Sequence, residues 1–384
     1  MQHVYFDNAA TTPMRDNVIQ AISQVMSRHY GNPSSSHAFG RASKVLIEKS
    51  RKRIAQYLNV SAGEIIFTSG GTEADNLILQ GAVRHLKIER IITSKTEHHA
   101  VLHTVEVLEE EYNVVLDFVN VKADGSIDTD HLETLLQSGK KTLVSLMHIN
   151  NEIGNILNLY EVSKLCKDYD AFFHTDAVQS VGHYKLDLQS VSVDFLAASA
   201  HKFHGPKGVG FAFVRKSLGL KPLITGGEQE RGLRAGTENV PNIVGMEAAL
   251  NEAYQNIDTE TTKIKTLKQY FIKKIKTEIP LVKFNGLSES LESSTYTLLN
   301  VLLPIPPKKA AMLLFQLDLR GIACSKGSAC QSGSNQNSHV LTEILSAEDL
   351  QKPSLRFSFS IYNTEAEVDY TVEVLKRFVN NTET

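Results

Sequence analysis

The feature that most constrains the fold is an alternation of apolar, β-rich runs with amphipathic helical stretches through the first two thirds of the chain. This alternation is typical of a parallel sheet whose strands are joined by crossover helices. The sequence predicts strands at residues 64–68, 88–94, 114–121, 142–148, 171–176, 194–199 and 208–215. Helical stretches at residues 42–58, 72–86, 100–112 and 159–169 each have a length suited to one crossover. An α/β fold with a mostly parallel central sheet is therefore predicted.

The pattern changes after Gly236 into a long helical region, residues 241–279, which is interrupted near residues 256–259. The remaining sequence predicts short strands at 281–285, 295–303, 321–325 and 355–360, with helices at 307–318 and 364–379. This mixture is typical of a small α+β domain. We expect a large domain of residues 14–255, and a small domain formed by residues 1–13 and 256–384.

Charge and apolar content restrict the class of partner. The 40 Lys and Arg residues nearly balance 43 Asp and Glu, a net charge of -3, so no basic surplus favours direct nucleic-acid binding. No run approaches the roughly 20 apolar residues of a membrane span, and the opening residues lack the pattern of a signal peptide. With only three cysteines and no C-x-x-C motif, we expect a cytoplasmic protein with free thiols that acts on a small molecule.

A glycine-containing turn marks the first candidate binding site. At residues 67–74 a predicted strand ends in Ser69-Gly70-Gly71 and a helix begins at Thr72. The free backbone N–H groups of such a turn, together with the helix dipole, favour an anion. The turn matches neither the Walker A loop nor the dinucleotide G-x-G-x-x-G motif. We therefore expect a phosphate that belongs to neither ATP nor NAD, with an ordinary strand-to-helix turn as the alternative.

Two further polar residues follow buried strands of the same predicted sheet. Asp176 closes the apolar run 171–175, and Lys202 follows the run that ends at Ser199. Ligands of open α/β sheets bind at the carboxyl ends of the strands. A phosphate turn, a carboxylate for a pyridine nitrogen and a lysine for a covalent bond are the parts of a pyridoxal 5'-phosphate site. Their combination is far more specific than any one of them.

Longer motifs resemble one enzyme family along nearly the whole chain. They lie, in order, at residues 5–13, 31–37, 96–100, 150–154, 176–179, 200–202, 234–237, 327–330 and 355–358. In these motifs the chain is similar to the cysteine desulfurases, which are pyridoxal phosphate enzymes of the class V aminotransferase group. The resemblance implies the fold of a fold-type I pyridoxal phosphate enzyme, with helices on both faces of the central sheet.

The resemblance also implies roles for individual residues. Phosphate contacts are implied for Gly71, Thr72, Ser199 and His201, and for Thr237 toward the cofactor of a neighbouring subunit, so that the enzyme is a homodimer. Around the cofactor ring, the resemblance implies stacking by His98 and hydrogen bonds from Asn151 and Gln179. The substrate carboxylate is assigned to Arg356. Asn32 and His37 are expected to line the substrate site.

The three cysteines receive different predictions. Cys330 opens a stretch rich in Ser, Gly, Asn and Gln that ends at Ser338, and it resembles the nucleophile of the family branch with an extended loop. Such polar surroundings favour an accessible, reactive thiol over a buried one. Cys324 lies in an apolar run and Cys166 on a helical pattern that packs toward the sheet. We expect both of these to be structural.

The implied reaction converts L-cysteine to L-alanine and leaves sulfur on Cys330 as a persulfide, with Lys202 and His98 as further catalytic residues. A sulfur-acceptor protein, such as an iron–sulfur scaffold or a tRNA-thiolation protein, would receive the sulfur. Alternatives are a selenocysteine lyase, another class V enzyme, and a non-catalytic scaffold that retains the fold. Residues 360–364 depart from the family pattern. His99 and His103 lack the Glu of a zinc-protease motif, so no metal site is expected.

Overall fold

A seven-stranded sheet forms the centre of the molecule in a computed structural model that describes residues 3–216, 218–307, 312–327 and 338–380. Its strands are β2 (Ile65–Thr68), β3 (Arg90–Thr93), β4 (Val115–Phe118), β5 (Thr142–Ser145), β6 (Phe172–Asp176), β7 (Phe195–Ser199) and β8 (Gly210–Val214). Their order across the sheet is β2-β8-β7-β6-β5-β3-β4, and only β8 runs antiparallel to its neighbours. The prediction of an α/β fold with a mostly parallel sheet is confirmed.

Helices cover both faces of this sheet. One face packs against α1 (Asp16–Arg28), α2 (Ala38–Tyr57), α5 (Thr129–Leu136), α6 (Leu159–Asp168) and α7 (Val240–Gln255). The other face packs against α3 (Gly71–Leu86) and α4 (His99–Tyr112). Successive strand residues enter opposite cores, so Phe211 joins the first apolar cluster and Ala212 the second. Because both faces are buried, the strands are continuously apolar rather than alternating.

A second apolar core lies beside the sheet. It contains a three-stranded antiparallel sheet in the order β12-β10-β9, formed by Ser354–Ser358, Leu298–Leu302 and Lys283–Phe284. The helices are α8 (Ile257–Glu278), α9 (Leu313–Asp318), α10 (His339–Ile344) and α11 (Glu365–Val379). The N-terminal strand β1 (Val4–Tyr5) pairs in parallel with β11 (Ile322–Ala323), and Phe6 is buried in this core. The two cores agree with the division at residues 255 and 256, which stays a prediction.

Element ends differ from the predicted ones. The long helical region breaks at Asn256, which ends α7 and begins α8. Helix α2 begins at Ala38, four residues before the predicted start, because the His37 imidazole accepts the N–H of Gly40 at 3.3 Å. The predicted strand 281–285 is reduced to two residues. Among the residues that the structure describes, no helix is long and apolar enough to cross a bilayer.

Candidate active site

A cavity of about 210 Å³ opens where β6 and β7 end and α3 begins. This is the position at which open α/β sheets bind their ligands. The cavity collects most of the site residues predicted from the sequence: Gly71, Thr72, His98, Asn151, Asp176, Gln179, Ser199, His201, Lys202 and Arg356. Residues that follow strands of the central sheet and Arg356 of the small sheet therefore meet at one cavity.

The turn between β2 and α3 forms one wall. Gly71 begins the helix, and a Cβ atom at this position would lie 2.6 Å from Cγ2 of Val178, so no larger residue fits without movement. Gly70 is the N-cap residue and provides no side-chain hydrogen bond to the helix. The first N–H groups of a helix have no partner inside the helix. The wall can therefore offer backbone donors and a positive helix end to a phosphate.

Asp176 lies at the end of β6 and is buried. Its Oδ1 accepts the N–H of Val178 at 2.8 Å. Burial raises the pKa of Asp176 to about 6, while the Val178 N–H and the Lys202 charge act in the opposite direction. A buried carboxylate of this kind favours a cationic partner, because a nearby positive charge stabilises its ionised form.

Two further buried carboxyl groups, those of Asp75 and Glu97, lie within the electrostatic influence of Asp176. Asp75 lines the cavity, and its Oδ1 lies 3.4 Å from Nε2 of His174. The Oε1 of Glu97 accepts the N–H of Met147 at 2.8 Å. Burial raises the pKa of Asp75 and of Glu97 well above their ordinary values, and the charge of Asp176 adds to this effect. Burial and the charge of Asp176 thus both favour the protonated, uncharged form of these two groups.

Lys202 lies on a short helical turn, Ala200–Lys202, directly after β7. Its Nζ donates to the carbonyl oxygens of Ala9 at 2.6 Å and Ala10 at 2.9 Å. The carbonyl of Ala9 also accepts a hydrogen bond from Nε2 of Gln179 at 3.0 Å. The N-terminal segment therefore closes one side of the cavity and holds the amine of Lys202 near Asp176.

His98 is the N-cap residue of α4, and its Nδ1 accepts the N–H of Ala100 at 3.1 Å. Burial, with a smaller contribution from positive charge on Lys202, His339 and His103, lowers the pKa of His98 to about 4. The ring is neutral at physiological pH, with Nδ1 already occupied as an acceptor. A flat, neutral imidazole at this position can stack on an aromatic ring or exchange a proton through Nε2.

The neighbouring histidines stack with one another. The rings of His99 and His103 lie 4.7 Å apart and nearly parallel, and His339 lies 4.5 Å from His99. Within the described ranges, no group of three or more His, Cys, Asp or Glu side chains has an arrangement that could hold a metal ion. We assign these rings to packing at the cavity edge.

Arg356 lies on β12 and is 1% exposed. Its Nη1 donates to the carbonyl of Asn151 at 2.7 Å, and its Nη2 lies 3.1 Å from Oδ1 of Asp7. Its buried Nε has no hydrogen-bond partner among the described residues. The guanidinium group of Arg356 lines the cavity and its Nε–H is an unused donor. Such a group is suited to binding a carboxylate ligand.

Other predicted residues lie elsewhere. Asn32, His37 and Thr237 are exposed and do not line the cavity of their own chain. Cys330 lies outside the described residues, as does most of the polar stretch that follows it. Cys166 and Cys324 pack against the apolar cores, and burial raises the pKa of both thiols.

Asp75 and Asp7 were missed by the sequence reasoning. Asp75 gave one signal, since it is an acidic residue on the helical face that also carries Ile78, Leu79 and Ala82, all of which are buried. A charged residue on an apolar helix face is uncommon unless it is paired or functional. Asp7 lies in the motif at residues 5–13, but its contact with Arg356 joins residues 349 positions apart and has no local signal.

Comparisons with known proteins agree with this geometry. Residues 4–371 match the family described as aminotransferase class-V. A cysteine desulfurase IscS of Dictyoglomus turgidum is 42% identical, with 100% of this chain and 96% of the relative covered. A cysteine desulfurase IscS of Methanosarcina thermophila is 39% identical over 98% of this chain and 92% of its own length.

Solved structures are similar as well. A NifS-like protein superposes with a TM-score of 0.90 at 34% identity, covering 99% of this chain and all of the other. The protein SspA, solved in complex with cysteine, superposes with a TM-score of 0.78 at 30% identity, covering 94% of this chain and 100% of the other. The chain belongs to the aminotransferase class-V family, a family of pyridoxal phosphate enzymes, and within it to the cysteine desulfurases. The resemblance and the fold type predicted from the sequence are confirmed.

Proposed function

We propose that this chain is a cysteine desulfurase that binds pyridoxal 5'-phosphate in the cavity between β6, β7 and α3. The observation that carries the proposal is the meeting of the Lys202 amine, the buried Asp176 carboxyl and the N-terminal turn of α3 in one cavity. These groups match the aldehyde, the ring nitrogen and the phosphate of the cofactor in chemical type. Thr72, Ser199 and His201 would add phosphate contacts. Asn151 and Gln179 would donate to the phenolic oxygen.

The chain's own residues then divide the acid–base work. When bound, the cofactor withdraws electrons from the substrate Cα. Arg356 holds the substrate carboxylate, and the freed Lys202 amine takes the proton from Cα. Asp176, which is mainly ionised at pH 7, would keep the ring nitrogen of the bound cofactor protonated. His98 is neutral at pH 7, so it can accept the proton of the substrate thiol.

The sulfur step requires a nucleophile, which we assign to Cys330. The thiolate of Cys330 attacks the substrate sulfur, so that one S–S bond forms and the C–S bond breaks. The electron pair of the C–S bond remains on the carbon, which takes a proton and leaves as L-alanine. The products are L-alanine and a Cys330 persulfide, so no external oxidant or reductant is needed. Burial makes Cys166 and Cys324 unsuitable for this step.

We further propose a homodimer. The exposed segments that hold Asn32 and Thr237 lie side by side, because Gln229 contacts Ser34 at 3.4 Å and Gly236 at 3.2 Å. The same surface carries the stacked rings of Tyr30 and Phe39, which are 76% and 58% exposed. Exposed aromatic groups of this kind are typical of an interface. A second chain on this surface would bring Thr237 and Asn32 to the partner's cavity.

The persulfide would pass to an acceptor protein, and two relatives carry the name IscS. An iron–sulfur scaffold and a tRNA-thiolation protein both remain candidate acceptors. A cytoplasmic location remains a prediction, which the sparse free thiols support.

The test is a product assay with L-cysteine in the presence of a thiol reductant. We expect equal amounts of alanine and sulfide, together with the yellow absorbance of a lysine-bound cofactor. Parallel assays use selenocysteine, and alanine with a keto acid. Faster release of selenium than of sulfur would favour a selenocysteine lyase, and amino-group transfer to the keto acid would favour an aminotransferase. Absence of both absorbance and turnover would favour a non-catalytic scaffold.

A further inference from the structure

Glu73 connects the candidate phosphate turn to a distant loop. Its Oε2 accepts the backbone N–H of Ser69 at 2.8 Å, which fixes the turn in front of α3. Its Oε1 accepts Nε of Arg234 at 2.8 Å, and Nη2 of Arg234 lies 3.3 Å from Oε2. The two side chains are only 12% and 24% exposed. A single carboxylate therefore holds both the turn and the segment that leads to Thr237.

The position of Glu73 leaves the helix N-terminus available. In the usual arrangement, the side chain of the N-cap residue occupies free N–H groups of the first turn. Here the N-cap residue is Gly70, which has no side chain, and Glu73 reaches back past it to Ser69. The hydrogen bond between Glu73 and the N–H of Ser69 fixes the turn without using the N–H groups of the first helical turn. The first N–H groups of α3 can thus serve an anion.

A carboxylate in the first turn would repel a phosphate if it were unpaired. Although burial opposes it, hydrogen bonds from Arg234 and Ser69 lower the pKa of Glu73, so the group is ionised at neutral pH. The guanidinium of Arg234 compensates this charge at bidentate distance. Arg234 therefore allows Glu73 to fix the turn without a net negative charge beside the phosphate.

The loop that carries Arg234 is itself anchored on β2. Glu230 accepts the N–H of Phe67 at 2.8 Å and binds Arg51 through two hydrogen bonds of 2.6 and 2.8 Å. Both side chains of this pair are 2% exposed. Glu230 and Arg231 also adopt left-handed backbone angles, with φ of 46° and 60°, which cost energy for residues other than glycine. The strand and the helix on either side of Ser69 thus contact one rigid loop.

From this arrangement we infer that Glu73 and Arg234 are positioning residues for the cofactor phosphate. They act through the Ser69–Gly71 turn and touch neither the cofactor ring nor the substrate. The inference rests on the proposed function and deepens it. It requires that loss of either residue weakens binding through the phosphate and leaves binding through the aldehyde and the ring unchanged.

The experiment titrates the full-length chain, stripped of cofactor, with pyridoxal 5'-phosphate and separately with pyridoxal, which lacks the phosphate. The readout is the absorbance of the lysine-bound ligand. For E73A we expect about a tenfold or greater loss of affinity for the phosphorylated ligand, and less than about a twofold change for pyridoxal. E73Q retains an acceptor for the N–H of Ser69 and should lose less affinity for pyridoxal 5'-phosphate than E73A. R234A leaves the charge of Glu73 uncompensated and should also lose about tenfold in affinity for pyridoxal 5'-phosphate.

A double variant and a control make the test specific. Because both side chains act on one turn, E73A/R234A should be no weaker than the worse single variant, which is the behaviour of coupled residues. Glu373→Ala removes an exposed ion pair with Arg377 on α11 and should change neither affinity. If E73A does not fold, E73Q and R234A decide the question.

Two results would overturn the inference. One is an equal loss of affinity for both ligands in variants with wild-type circular dichroism, which would indicate a general structural role. The other is unchanged affinity for pyridoxal 5'-phosphate in R234A and E73Q. Failure of the proposed function is a separate outcome, since the wild-type chain would then show no absorbance of a lysine-bound ligand at all.

Discussion

At the residue scale, the cavity contains side chains whose pKa values have been changed by burial. Asp176 and His98 have their pKa values moved in opposite directions, to about 6 and about 4. At neutral pH this leaves an anion beside the proposed ring nitrogen and a neutral base beside the proposed substrate. Groups whose environments separate their pKa values in this way are typical of acid–base sites.

The first prediction concerns Lys202. Lys202→Ala should fold normally but lose the yellow absorbance and at least about a hundredfold in turnover, because it removes both the covalent anchor and the proposed base. The measurements are an absorbance spectrum and alanine release from L-cysteine. Lys207→Ala is the matched control, since Lys207 is exposed and lies outside the cavity. An unchanged spectrum in Lys202→Ala would refute the assignment.

Local pattern predicted Asp176 and Lys202, because each follows a buried strand, whereas His98 was predicted only through the family resemblance. It could not reach Asp7, which contacts Arg356 only through the tertiary fold. It also could not foresee that Gln179 and Lys202 share the carbonyl of Ala9. Such contacts depend on the path of the N-terminal segment, which no local pattern encodes.

At the element scale, the strands of the central sheet were predictable because parallel strands buried on both faces are continuously apolar. Their ends were less predictable. The run 114–121 pairs with β3 only over Val115–Phe118, and the predicted strand 88–94 is likewise reduced to Arg90–Thr93. Helix starts set by a side-chain cap, such as His37 before α2, also depend on contacts that apolar periodicity does not show.

The second prediction concerns Lys268, which ties α8 to the segment before β10. Its Nζ donates to the carbonyl of Thr295 at 2.7 Å, and burial lowers its pKa to about 7. Between pH 7 and the ordinary lysine pKa near 10.4, the unfolded chain binds more protons than the folded one. The Lys268 contribution to the free energy of unfolding therefore rises with pH, by up to about 1.4 kcal/mol per pH unit.

Denaturant unfolding of wild type and Lys268→Met at pH 7, 8 and 9 measures this contribution. The wild type should gain stability relative to the variant across this range, because methionine does not titrate. Equal pH slopes for the two proteins would mean that Lys268 keeps an ordinary pKa in the folded state. Lys273→Met is a control on the same helix, because Lys273 is exposed.

At the scale of the whole molecule, the two apolar cores meet at one cavity, with Lys202 and Asp176 from the central sheet and Arg356 from the small sheet. If Arg356 binds the substrate carboxylate as proposed, the small sheet contributes directly to the site. The strand-end rule predicted Asp176 and Lys202 at this cavity, whereas Arg356 was assigned to the substrate through the family resemblance. Asn32 and Thr237 are exposed and lie outside this cavity, and the proposed homodimer would bring them to the cavity of the partner.

The third prediction is that a dimer exchanges Thr237 between sites. Lys202→Ala should inactivate its own cavity, and Thr237→Ala should weaken the cavity of its partner. When the two variants are mixed under conditions that exchange subunits, the hybrid dimer contains one doubly altered site and one wild-type site. Activity should therefore recover above the sum of the separate variants. A fully active monomer in sedimentation, or no recovery after confirmed exchange, would contradict the shared site.

The central claim is that sulfur leaves L-cysteine and arrives on Cys330. The most direct measurement is a short pulse of L-cysteine, followed by alkylation and mass mapping of wild type, Cys330→Ser and Cys324→Ser. The account predicts one extra sulfur atom on Cys330 for each alanine released, its loss in Cys330→Ser with the cofactor absorbance unchanged, and its retention in Cys324→Ser. Extra sulfur on Cys324, or alanine release that persists in Cys330→Ser, would contradict the account.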